Sequence, residues 1–197
     1  PRRYFTDEEV VRLFAVSESL EIDTARFLRL GILAGLRRAE ILSLRARDVD
    51  WQLNLIVICD HRPSDPFHPK SKQERRIPIH PALAPWLESA SPSGYFFPSK
   101  PRSPLPYRTD FKKPWAALMK AAEIDPPASP HAMRHTFGTF LARKGCSAWE
   151  IQALMGHADV TTTQIYIKMV GGKDLRRAVE TLQFGALPLP TPAEDPS

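Results

Sequence analysis

A mostly helical α+β domain carrying one small antiparallel sheet is the fold class this sequence predicts. Three observations lead there. Apolar residues recur at helical spacing along most of the chain, between capping signals and glycine or proline stops. Two β-branched runs, 51–59 and 75–80, stand close together near the middle. The length of 197 residues, with 43% hydrophobic and 25% charged residues and no internal repeat, fits one ordinary well-buried domain and excludes wholesale disorder.

Each element has a local reason. Thr6 with Glu9 makes a capping box and Val10, Leu13 and Phe14 continue at helical spacing, which predicts a helix over 7–17. Asp23 or Thr24 caps a second helix over 25–34, with Phe27, Leu28, Ile32 and Leu33 as core. Gly35 breaks that pattern, and a short third helix runs through Ile41, Leu42 and Leu44 to about Arg45, with Arg37 at its start. The run from Trp51 to Cys59 reads as a strand and Arg75 to His80 as its neighbour, joined by a stretch in which Pro63, Pro66 and Pro69 limit ladder pairing.

Pro81 starts a helix through Trp86 and Leu87, and the proline-rich SPSGYFFPSKPRSPLP is loop. Phe111, Trp115, Leu118 and Met119 mark a helix within 107–122. A further helix begins at His131, and Ser147 with Glu150 forms a second capping box that opens a helix closed by Gly156. Helices over 161–169 and, by the stripe Leu175, Ala178, Val179 and Leu182, over 174–182 complete the series.

The formal charge of +5 and the pI of about 9.4 favour a polyanionic partner and place nucleic acid ahead of membrane. Cys59 and Cys146 have no second pair nearby, which excludes a disulfide framework or a Cys-rich metal site and fits a reducing cytoplasm. The charged start PRRYFTDEEV has no apolar leader core, and the longest apolar run, around Leu28 to Leu36, is too short to span a bilayer. A soluble cytoplasmic protein is expected.

Chemistry concentrates between Pro130 and Lys168. On a helix, His131, Arg134, His135 and Gly138 share one face and Met133, Phe137, Phe140 and Leu141 lie opposite, so one face is expected to pack and the other to react. His157 follows Gly156 and precedes Tyr166 by nine residues. Arginine, histidine and tyrosine together suit a phosphodiester, since they donate hydrogen bonds, move protons and supply a nucleophile. His131 and His135 have zinc-ligand spacing, but no glutamate follows the first and Arg134 sits between them, so no metal and no cofactor is expected.

The series GLRRAE, a lysine in a hairpin before RRIPI, HAMRH, LMGH and a tyrosine nine residues on resembles the tyrosine recombinase (phage integrase) family, from Phe5 to about Leu182. The resemblance is to the catalytic domain, and implies that fold with a sheet of about three strands. It assigns catalytic roles to Arg37, Lys70, His131, Arg134, His157 and Tyr166, with Glu40 bracing the first arginine; because Pro66 and Pro69 crowd the hairpin, Lys72 stands as an alternative to Lys70. It implies a catalytic domain over 1–185 that includes a C-terminal helix at 172–183, a disordered proline-rich tail at 186–197, and the absence of an N-terminal DNA-clamp domain from this chain.

The activity implied is site-specific recombination. Tyr166 attacks a DNA phosphodiester to give a 3′-phosphotyrosyl intermediate, and strand exchange follows without metal or ATP. Double-stranded DNA is the implied partner, contacted through phosphates by residues such as Arg108, Lys112 and Lys113, with a homotetramer on synapsed DNA and a monomer otherwise. Two other readings use the same residues: a non-catalytic DNA-binding module of this fold, and a type IB topoisomerase that swivels one nicked strand.

Overall fold

The computed structural model describes residues 3–59, 74–88, 94–156 and 163–164. Six helices are described, α1 (Asp7–Glu18), α2 (Ile22–Leu33), α3 (Arg38–Leu42), α4 (Lys112–Ala121), α5 (His131–Arg143) and α6 (Ala148–Met155). One antiparallel sheet, in the order β1 (Val49–Asp50), β2 (Leu55–Ile58), β3 (Arg75–Pro78), completes the regular structure. The helices expected over 161–169 and 174–182 lie outside the described residues apart from Thr163 and Gln164, as do the helix placed at 172–183 and the tail at 186–197.

The middle of the domain is α2, buried from Thr24 to Ile32 without a break. Phe27 stacks on Phe111 at 4.3 Å between centroids, and Phe97 and Trp115 meet it edge-on at 6.1 Å. Two cations on this buried helix are accounted for locally. Arg26 Nε donates to the Trp86 carbonyl at 2.7 Å, and Arg29 stacks on the Trp86 ring at 4.0 Å while pairing with Glu18. The N-terminal segment is sewn to α5, where the Phe5 backbone N–H donates to Thr136 Oγ1 at 2.8 Å.

Both capping boxes form, Thr6 with Glu9 and Ser147 with Glu150, and Gly156 ends α6 in the left-handed region. Four boundaries differ from the sequence reading by three residues or more. The second helix starts at Ile22 with no side-chain cap, because Asp23 pairs instead with Arg26 and Arg108. The third helix stops at Leu42, since the chain beyond it pairs with a loop: the Phe96 N–H donates to the Leu44 carbonyl, and Arg45 bridges Tyr95. Residues 51–54 form the turn between β1 and β2 instead of a strand, with the Leu53 N–H on Asp50 Oδ1 and Asn54 at φ 55°. Tyr107 and Arg108 pair with Pro98 and Phe97, so α4 begins only at Lys112. Near Trp86 only a single 3₁₀ turn, Ala84–Trp86, forms where a helix was expected, with Pro85 near its start.

Close approach of α2 and α5 depends on two glycines. A Cβ on Gly31 would lie 2.5 Å from the Met133 sulfur, and one on Gly35 would lie 2.3 Å from the Phe137 ring. Gly35 also has φ +63°, which a side chain disfavours by about 1–2 kcal/mol. Overpacking typically adds about 1–3 kcal/mol. Gly35→Ala is therefore expected to destabilise by about 2–5 kcal/mol, read as a lower midpoint in thermal unfolding; an unchanged midpoint would contradict this account of the turn.

Candidate active site

The turn after α2, the start of α3, strand β3 and the C-terminal end of α6 meet around three arginines. Gly35 turns the chain out of α2, which brings Arg37 to the N-cap of α3. The Glu40 carboxylate accepts the Arg37 backbone N–H at 2.7 Å and Arg37 Nη1 at 2.9 Å. Arg37 Nη2 then donates to the Gly156 carbonyl at 3.1 Å, across 119 residues of sequence. Two of the five guanidinium donors are used in these bonds, the others have no partner among the described residues, and the side chain keeps 26% of its exposure.

Arg134 sits one turn into α5 and is buried. Its Nη1 donates to the Gly35 carbonyl at 2.6 Å and its Nη2 to the Met155 carbonyl. The Met155 carbonyl ends α6, where the backbone has no intrahelical donor and carries partial negative charge, so a cation is well placed there. Arg37 and Arg134 thus grip adjacent carbonyls, Gly156 and Met155, on one helix end.

His131 is exposed at the first residue of α5, one turn before Arg134 on the same side of the helix. The expectation that one face of this helix packs while the other reacts needs correction, because packing is not confined to one face. Arg134 and Gly138 are both buried, together with Ala132, Thr136, Thr139 and Ala142, and the exposed residues are His131 at the start and Arg143 at the end. Phe137 and Leu141 pack instead on a small second cluster with Ala142, Ile151 and Met155, which docks α6. Lys70, Lys72, His157 and Tyr166 lie outside the described residues.

Glu40 is the electrostatic centre. Burial alone raises its pKa, but hydrogen bonds and charge from Arg75, then the backbone N–H and charge of Arg37, outweigh it, so the carboxyl titrates below the usual carboxylate value. Arg75 was not singled out by the sequence reading as a site residue. It donates from Nη1 to Glu40 Oε1 at 3.0 Å and from Nη2 to Oε2 at 2.5 Å. One signal pointed to it: β3 alternates, and an inward Ile77 places Arg75 inward too.

The three suggested DNA contacts lie elsewhere. Lys112 and Lys113 are exposed at the start of α4, whereas Arg108 pairs with Asp23 at 3.0 Å and lies over the Phe111 ring. Asp23 is in the first turn of α2 and Gly35 just past its last, so the Arg108 partner Asp23 stands about 18 Å along the helix axis from the turn at Gly35. Among the described residues no group of three or more His, Cys, Asp or Glu could hold a metal ion, and no helix is long and apolar enough to cross a membrane.

Known proteins share this fold and sequence family. The chain is 31% identical over 184 residues to the tyrosine recombinase XerA of Pyrococcus horikoshii, an alignment covering 89% of this chain and 59% of that protein. It thus spans about three-fifths of that relative's length. Among solved structures, the Tn1549 transposon integrase in complex with a circular intermediate DNA superposes with a TM-score of 0.73 at 22% identity, covering 92% of this chain and 66% of that one. The catalytic domain of bacteriophage HP1 integrase does so with a TM-score of 0.67 at 21% identity, covering 92% and 95%. A profile of the phage integrase family matches residues 3–170, and the chain belongs to that family.

Proposed function

We propose that residues 1–185 form the catalytic domain of a site-specific DNA recombinase that cleaves and rejoins strands through Tyr166. The observation that carries this reading is the convergence of Arg37 and Arg134 on Met155 and Gly156, directly before His157 in sequence. Two guanidinium groups held at one point suit a phosphodiester, whose non-bridging oxygens gain negative charge as phosphorus becomes five-coordinate.

In this reading the Tyr166 phenol gives its proton to the His131 imidazole as its oxygen attacks phosphorus. Arg37, through its remaining donors, and Arg134 hold the non-bridging oxygens, and His157 adds a hydrogen bond. The bond to the 5′ oxygen breaks, and Lys70, or Lys72, protonates that oxygen. The 3′-phosphotyrosyl bond conserves the energy of the phosphodiester, so a 5′ hydroxyl from another strand reverses the step and completes exchange without ATP. The partner is double-stranded DNA, with four copies acting on synapsed sites and a single copy in its absence; Lys112 and Lys113 hold outlying phosphates. The DNA complex of the similar transposon integrase supports that partner.

The test is incubation with a nicked suicide duplex bearing a candidate site, followed by a denaturing gel and mass analysis. A covalent adduct on Tyr166 at a 3′ phosphate is expected, absent from Tyr166→Phe although that protein still binds the duplex. Cutting by Tyr166→Phe would overturn the reading.

A further inference from the structure

We propose that Arg75 is a positioning residue for strand cleavage: seated on Glu40, it clamps the end of α6 against the turn that carries Arg37. The catalytic consequence rests on the recombinase reading above, whereas the clamp itself does not.

The geometry makes one carboxylate serve two cations. Glu40 holds Arg37 through the backbone and Nη1, and Arg75 through both terminal nitrogens, one to each carboxylate oxygen. The fork on Arg75 fixes the carboxylate plane, and that plane sets where the Arg37 guanidinium points. Gly156 closes the loop from the other side. Its carbonyl accepts Arg37 Nη2, and its Cα is packed so tightly on Arg75 that a Cβ would stand 2.9 Å from Cδ and 3.1 Å from Nη1. Gly156 is therefore held between the two arginines that share Glu40.

A purely structural role explains this poorly. Side chains of Arg75 and Glu40 are 4% and 2% exposed, and buried ion pairs are commonly no more stabilising than well-packed apolar residues of the same volume. Arg75 Nε is also buried and lacks an acceptor among the described residues. The arrangement gives up a hydrogen bond while keeping the contact with Gly156, which is what a part selected for position does.

The test uses the full chain and its Arg75→Met, Arg75→Lys, Glu40→Gln and Arg75→Met/Glu40→Gln variants, with single-turnover adduct formation measured at saturating nicked duplex. Arg75→Met is expected to lower the rate constant between about 10- and 100-fold, and to leave duplex affinity within about threefold. Arg75→Lys recovers part of the rate, because it restores the charge without the fork. The double variant loses less than the product of the two single losses.

A wild-type rate constant in folded Arg75→Met, or a loss confined to affinity, overturns the proposal. Where Arg75→Met does not fold, Arg75→Lys decides by the same two readings. Hydrogen exchange is measured alongside: faster exchange in 35–42 and 150–156, with α1 and α4 unchanged, supports the clamp, and unaltered exchange in both segments overturns it. If the wild-type chain forms no adduct, the recombinase reading fails, while exchange still decides the clamp.

Discussion

Arg134→Ala is expected to slow adduct formation by roughly 10²–10³-fold, the usual loss when one preorganised donor to a developing oxyanion is removed. Position adds to this. The guanidinium ties the turn after α2, through the Gly35 carbonyl, to the end of α6, through the Met155 carbonyl, so its removal also releases the turn that carries Arg37 and the end of α6. Two buried carbonyls lose their donor, each worth about 1–3 kcal/mol when left unsatisfied, and the thermal midpoint falls as well. Arg134→Lys separates the effects: a lysine keeps the charge and bonds one carbonyl, so much of the stability returns, but a point charge cannot span two acceptors and the rate stays low. A wild-type rate in either variant would show that Arg134 does not face the reacting phosphate.

Glu40→Ala is expected to be among the most destabilising single changes in the site. It leaves Arg75, and partly Arg37, as buried cations without a counter-charge, which typically costs about 3–5 kcal/mol. For a domain of this size that lowers the thermal midpoint by roughly 6–20 °C. The same pair makes stability depend on pH. The folded pKa of Glu40 lies below its ordinary 4.5, so the folded state binds its proton less readily than the unfolded chain. Its contribution is fully present above the ordinary value and is lost as the pH falls through the lower folded value. Glu40→Gln should flatten that acid limb of the stability profile relative to wild type; an identical limb would mean that other carboxylates produce it.

Local signals were legible wherever the partner lies within a few residues. Thr6 with Glu9, Ser147 with Glu150 and the Gly156 stop are contacts of one helical turn, and the chain carries them openly. Arg37 with Glu40 is of the same kind, three residues apart. The pattern failed where a distant segment decided the matter. Trp51 and Leu53 look like strand residues, yet they are 49% and 62% exposed in a turn set by Asp50 and Asn54. Arg108 reads as a surface cation, but its partner Asp23 is 85 residues earlier. Arg75 was hidden for the same reason, since an arginine on a strand is ordinarily solvated and only a carboxylate 35 residues away makes its burial tolerable.

Gly31 on α2 and Gly35 in the turn after it receive Met133 and Phe137 of α5, each pair four residues apart, so the two segments mesh as one gap and one tooth repeated. Arg37 lies two residues beyond the second gap and Arg134 directly beside the first tooth. Inheritance therefore acts on the pairs and not on the single positions: a lineage that enlarges residue 31 must shrink residue 133 in step, or the two arginines drift apart. Exchange of α5 between distant relatives by recombination of their genes would succeed only when the matching half of α2 travels with it.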